Sequence, residues 1–136
     1  MPKLNQRMKE IFEKQMPVVL ATATKDGLPN VVPINAKKIL DDETILISDQ
    51  YFDKTLKNFN DNPRAAITFW DGLEGYQIKG TITIETSGER FEKTAKWIQE
   101  VGEASNLPLR SKGAVILRIT DIYNVAPGPN AGKRIE

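Results

Sequence analysis

Three features predict a small α+β domain, mainly β, in which five or six mostly antiparallel strands curl into a barrel-like sheet with helices packed against it. Apolar runs of strand length recur between Val18 and Ile122, separated by turn chemistry such as Lys25-Asp26-Gly27 and Asp71-Gly72. Two stretches, one near the N-terminus and one after Glu85, repeat their apolar residues at helical spacing. Gly80 stands in the middle of the longest alternating strand, where a sheet bends or another backbone comes close, as at a barrel corner. A chain of 136 residues suits one domain over 1–136, with an N-terminal helix in 1–16 and an irregular tail in 125–136.

From Asn5 to about Lys14, Met8, Ile11 and Phe12 share a helical face opposite Arg7, Lys9, Glu10 and Glu13, and Pro17 stops the helix. Val18 to Thr24 reads as a first strand, and after the turn Val31 to about Ile39 reads as a second, paired with it in a hairpin. Asp41-Asp42-Glu43 turns the chain into a third, Thr44–Ser48, with Ile45 and Ile47 on one face and Leu46 on the other. A short helix from Asp53 to Asn62 carries Leu56 and Phe59 on one side and ends before Pro63, since the residue preceding proline is pushed out of helical geometry.

Arg64–Trp70 and Tyr76–Glu85 read as longer strands, the second alternating Ile78, Gly80, Ile82 and Ile84 with Gln77, Lys79, Thr81 and Thr83. Thr86-Ser87-Gly88-Glu89 has the pattern of a capping box ahead of a helix striped by Phe91, Ala95, Ile98 and Val101. Ala114–Ile122 is an apolar final strand, and the prolines and glycines of VAPGPNAGKRIE argue against regular structure beyond it.

Composition narrows the chemistry. No cysteine excludes disulfides, thiolate nucleophiles and cysteine-ligated metals, and no histidine excludes imidazole bases and His-containing zinc or haem sites. Any reaction must borrow its chemistry from a bound cofactor or substrate. Nineteen basic against 18 acidic residues, spread evenly, make no electrostatic case for nucleic acid or an anionic membrane. With no apolar run of signal or spanning length, the expectation is a soluble cytoplasmic chain.

The stretch TILISDQYFDKTLKNFNDNPRAAITFW points to a ligand. An apolar strand empties into a short loop, and Lys54-Thr55 opens a helix whose first N–H groups lack intrahelical partners, a seat for a phosphate to which Lys54 adds a charge and Thr55 a hydroxyl. The same residues also suit a plain helix start, with Asp53 as N-cap and Lys54 and Thr55 solvated. Pro33 suits an edge or a bulge as well as a ligand slot, and Trp70 and Trp97 suit a core or an interface. Lys133 and Arg134 suit a solvated terminus.

The order of these elements, with the segments PNVVPIN, SDQYFDKT, NFNDNPRAAI and YQIKGTITI, resembles the FMN-binding split-barrel proteins related to pyridoxamine 5′-phosphate oxidase over roughly Met16 to Asn124. The resemblance implies a six-stranded antiparallel split β-barrel with flanking helices, forming a homodimer with FMN at the subunit interface. It implies Lys54 and Thr55 as phosphate ligands, and Ser48, Asp49 and Gln50 as the segment bordering the ribityl chain or ring. Val32, Pro33, Ile34 and Asn35 would line the isoalloxazine edge, and Trp70, with Phe69 beside it, would meet the ring from the partner subunit.

The implied function is a flavin-dependent oxidoreductase acting on a small molecule or redox partner. A non-catalytic flavin carrier and a deazaflavin F420-binding protein are the alternatives. The basic substrate-binding pattern of true pyridoxamine-phosphate oxidases is absent from the C-terminus, so that named activity is not expected.

Overall fold

The computed structural model describes residues 2–135. Helix α1 (Gln6–Lys14) precedes a hairpin of β1 (Val18–Ala23) and β2 (Pro29–Ile34), then a second hairpin of β3 (Lys37–Asp41) and β4 (Thr44–Asp49). Helix α2 (Lys54–Asp61) leads to a third hairpin, β5 (Arg64–Asp71) and β6 (Glu74–Glu85), followed by α3 (Glu89–Ala104) and β7 (Gly113–Asn124). All pairings are antiparallel, in the order β2-β1-β5-β6-β7-β4-β3.

The sheet has seven strands, not the six expected. The segment read as one strand from Val31 to Ile39 breaks at Asn35–Ala36. There the Lys37 N–H donates to the Asn35 carbonyl at 3.0 Å and the Ser48 N–H to the Ala36 carbonyl at 3.0 Å, so the chain leaves β1 and takes up β4 as its partner. The split has a large consequence. Strands β2 and β3 are the two outer edges of the sheet, yet only a two-residue corner separates them, so the sheet must curl into a half-barrel until its edges meet.

Curling is helped at Gly80. The register of β6 against β7 slips between Lys79 and Gly80, and a Cβ on Gly80 would lie 2.3 Å from the Arg118 carbonyl oxygen. Only glycine lets the two backbones approach that closely. Inside the curl Ile45, Ile47, Ile67, Phe69, Leu117 and Ile119 are buried, and α1 closes one end with Met8, Ile11 and Phe12. Phe12 and Phe69 meet edge to face with ring centroids 5.4 Å apart. Leu46, Ala114 and Ile116 face the opposite way, beneath Trp97 of α3, as the alternation of β4 requires.

Helix α3 departs from expectation. Gly88 is the N-cap, at φ 93°, and no side chain caps the helix. Thr94, Ile98 and Gly102 form its buried face while Val101 is exposed. The rotation follows from Gly102, where a Cβ would sit 2.6 Å from the Leu107 carbonyl oxygen as the chain folds back against the helix. The tail also turns back. Asn124 donates its N–H to the Lys133 carbonyl at 2.9 Å, Ile135 donates to the Ile122 carbonyl at 2.7 Å, and Tyr123 pairs with Arg134.

Candidate functional site

The Asn35–Ala36 corner and the exit of β4 enclose a groove of about 300 Å³, lined by Val32, Pro33, Ile34, Asn35, Ala36, Ser48, Gln50, Tyr51 and Phe52. Two segments far apart in sequence are brought together because β4 hydrogen-bonds to β3 immediately past the corner. Six of the ten residues expected at the site, Val32, Pro33, Ile34, Asn35, Ser48 and Gln50, therefore share one wall system. Gln50 stands out: its Oε1 is buried and has no hydrogen-bond partner among the described residues. An unpaired buried acceptor costs about 1–3 kcal/mol, a cost that a donor brought by a ligand would remove.

The other two members of the exit segment are tied inward. The Ser48 hydroxyl donates to that of Ser111 at 2.7 Å. Asp49 is buried and accepts from the Phe52 N–H at 2.9 Å, closing the loop that carries Gln50 and Tyr51. Lys112 braces the same loop, donating its N–H to the Asp49 carbonyl at 2.7 Å and its Nζ to the Phe52 carbonyl at 3.2 Å.

Beyond the loop lies the start of α2. Asp53 makes no capping hydrogen bond and its carboxylate lies 3.5 Å from Lys57 instead. Lys54 is exposed and makes no ion pair among the described residues. Thr55 is buried, and its hydroxyl accepts from Asn30 Nδ2 at 3.0 Å. Asn30 also donates to the Thr22 hydroxyl at 3.2 Å, and Asn58 Nδ2 donates to that hydroxyl at 2.9 Å. This network pins α2 to β1 and β2, fixing the helix N-terminus beside the groove.

Thr22, Asn30, Asn58 and Lys112 were not anticipated. Asn30 and Asn58 carry a signal in retrospect, since each is an amide on an otherwise apolar-facing position of a strand or helix. Lys112 carries none without the β4–β7 pairing that sets it beside Asp49.

Trp70 lies elsewhere. Its N–H donates to Gln15 Oε1, and its indole, 45% exposed, stands on the outer face of β5. Phe69 is fully buried against Phe12. Near the corner the Lys37 ammonium donates to the Phe12 carbonyl at 2.6 Å, and burial lowers its pKa from the usual lysine value, opposed in part by Glu13. Among the described residues no cluster of acidic side chains is placed to hold a metal ion, and no helix is long and apolar enough to cross a membrane.

Comparison with known proteins gives this geometry a family. An uncharacterized protein of Methanocaldococcus jannaschii is 43% identical over 136 residues, covering 98% of this chain and 88% of the relative. The crystal structure of HupZ from Group A Streptococcus superposes with a TM-score of 0.79 at 30% identity, covering 95% of this chain and 99% of that one. An FMN-binding protein from Syntrophomonas wolfei shares the fold with a TM-score of 0.72 at 19% identity, covering 88% of this chain and 84% of that one. The pyridoxamine 5′-phosphate oxidase profile matches residues 4–126, and the chain belongs to that family.

Proposed function

We propose that this protein is an FMN-binding flavoprotein that passes electrons or hydride to a small molecule or redox partner. The observation that carries the reading is the buried, unpaired Oε1 of Gln50 in a groove that runs beside the uncapped start of α2. FMN needs an acceptor for the imide N–H of its ring, an apolar slot, and a cationic seat for its phosphate. Gln50 supplies the first, Val32 to Asn35 with Phe52 the second, and Lys54 with the first-turn N–H groups of α2 the third. Thr55 contributes its N–H, and its hydroxyl proton has no acceptor among the described residues. Ser48 and Asp49 hold the loop in shape rather than touching the ligand by their side chains.

Bound FMN would supply the redox chemistry, and the chain would bind, orient and screen it from water. The groove encloses about 300 Å³ and lies open at the surface of the single chain. A second copy completes it in this reading. The outer sheet face next to Pro33 is apolar: Val31 lies opposite Ala21, Pro33 opposite Val19, and Ala66 and Thr68 continue the strip to Trp70. The name of the Syntrophomonas neighbour supports flavin as the ligand.

The test is a titration of the purified, ligand-stripped protein with FMN, read by quenching of flavin fluorescence, alongside heat release and mass determination of whatever co-purifies. Saturable quenching at one FMN per chain is expected. No quenching, with F420 bound instead, would replace the cofactor; no binding of either would overturn the reading. Turnover with NAD(P)H and an acceptor, measured on the loaded protein alone, separates an enzyme from a carrier that needs its redox partner.

A further inference from the structure

A second, larger cavity of about 640 Å³ adjoins the groove and shares Asn35, Ala36 and Gln50 with it. Phe12 and Ile98, both buried, form its depth with Ile39 and Leu109, while the exposed side chains of Met16 and Leu107 stand at its rim. Such a lining favours a ligand with a flat apolar body.

The polar groups at this cavity differ in their freedom. Lys37 is committed, its ammonium bonded to the Phe12 carbonyl at 2.6 Å. Lys38 is exposed, with Nζ 4.2 Å from the centre of the Trp97 ring, and pairs with no carboxylate among the described residues. The Trp97 ring thus holds an uncommitted cation at the mouth of an apolar chamber, positioned to meet an anionic end. Glu13 on another wall repels a second negative group.

We propose that this chamber is a second ligand site, and that it takes a planar, largely apolar molecule carrying one anionic group, such as an aromatic carboxylate, with Lys38 as its anion partner. A molecule there would lie against the groove along Gln50, beside the proposed flavin. That adjacency to a flavin rests on the flavin reading; the binding of an aromatic anion does not.

Calorimetric titration of the full chain with 2-naphthoate and with its neutral counterpart 2-naphthamide tests the site. One naphthoate per chain is expected, bound about fivefold more tightly than the amide, the ratio of a partly screened ion pair. Lys38→Gln, a surface change that leaves the core intact, should reduce the preference to near unity. Val101→Trp, which fills the chamber from α3, should abolish binding of both. Equal affinity for acid and amide, an unchanged preference in Lys38→Gln, or displacement of naphthoate by FMN one for one would overturn the proposal, as would no binding because a partner subunit plugs the chamber. FMN titration of the same sample keeps the two readings apart: naphthoate binding without FMN binding upholds the chamber and removes the cofactor, and the converse removes the chamber alone.

Discussion

At the scale of single residues, Lys54 and Gln50 make opposite kinds of contribution. Lys54 is exposed and free of ion pairs among the described residues, so the fold gains little from it, and in the proposed site its charge would act on the bound phosphate. Removing one charge-assisted contact of about 1.5–3 kcal/mol should weaken FMN binding in Lys54→Ala by about ten- to a hundredfold, with a shallower salt dependence, while leaving the urea midpoint unchanged. Gln50 instead holds an acceptor in an unfavourable state in the free protein. Gln50→Leu should therefore raise the unfolding free energy of the ligand-free protein by about 1 kcal/mol and lower FMN affinity at the same time. A loss in both measurements would mean that Gln50 is structural. Lys54 stands out as a candidate in the sequence because a cation at a helix start is a local pattern. The unpaired Oε1 was not, since its isolation depends on the corner between β2 and β3, which no local pattern announces.

At the scale of elements, the sequence specified most strands and the face of α1 through alternation and helical spacing, which are properties of neighbours along the chain. It failed where tertiary pairing decided. The run from Val31 to Ile39 alternates well enough for one strand, and only competition between β1 and β4 for the same segment breaks it. Gly80 was legible because a glycine in mid-strand gives up side-chain packing and backbone entropy, a loss that a bend or a close backbone approach offsets. Gly80→Ala should drive a methyl group into the Arg118 carbonyl and cost about 3 kcal/mol, read as a lowered urea midpoint.

The attachment of α1 offers a pH test. Arg7 Nε donates to Glu74 at 2.9 Å, tying the helix to the β5–β6 hairpin, and that hydrogen bond holds the Glu74 pKa below its ordinary 4.5. A carboxylate with a lowered folded pKa stabilises the fold above its unfolded value, and this contribution fades as pH falls through the folded value. Glu74→Gln should unfold at lower urea than the parent at neutral pH, with the gap closing in acid. A gap that persists in acid would assign the effect to shape rather than charge.

At the scale of the whole molecule, closing the sheet at the Asn35–Ala36 corner joins two edges but leaves the outer face of β2, β1 and β5 apolar and bare. Val31 is 62% exposed and Trp70 45% exposed on that face, with Val19, Ala21 and Ala66 between them. The residues that sequence reasoning assigned to a ring met from two subunits thus divide into a groove on one side and Trp70 on the outer face, an arrangement that a single copy does not unite. Two copies packed through this face would bury the apolar strip and set one subunit's outer strands beside the other's groove. Placing a charge in the strip should then break the assembly and the cofactor site together. Val31→Lys keeps the strand, since position 31 is exposed in the isolated chain and its backbone pairing with Ala21 is untouched. It should shift the monomer–dimer equilibrium by about a hundredfold or more toward monomer in light scattering, because an ammonium would be stripped of water against an apolar surface. FMN affinity should fall in parallel while the circular dichroism spectrum stays the same. A variant that remains dimeric would place the interface on another face, and one that becomes monomeric yet binds FMN undiminished would show that the groove needs no second copy.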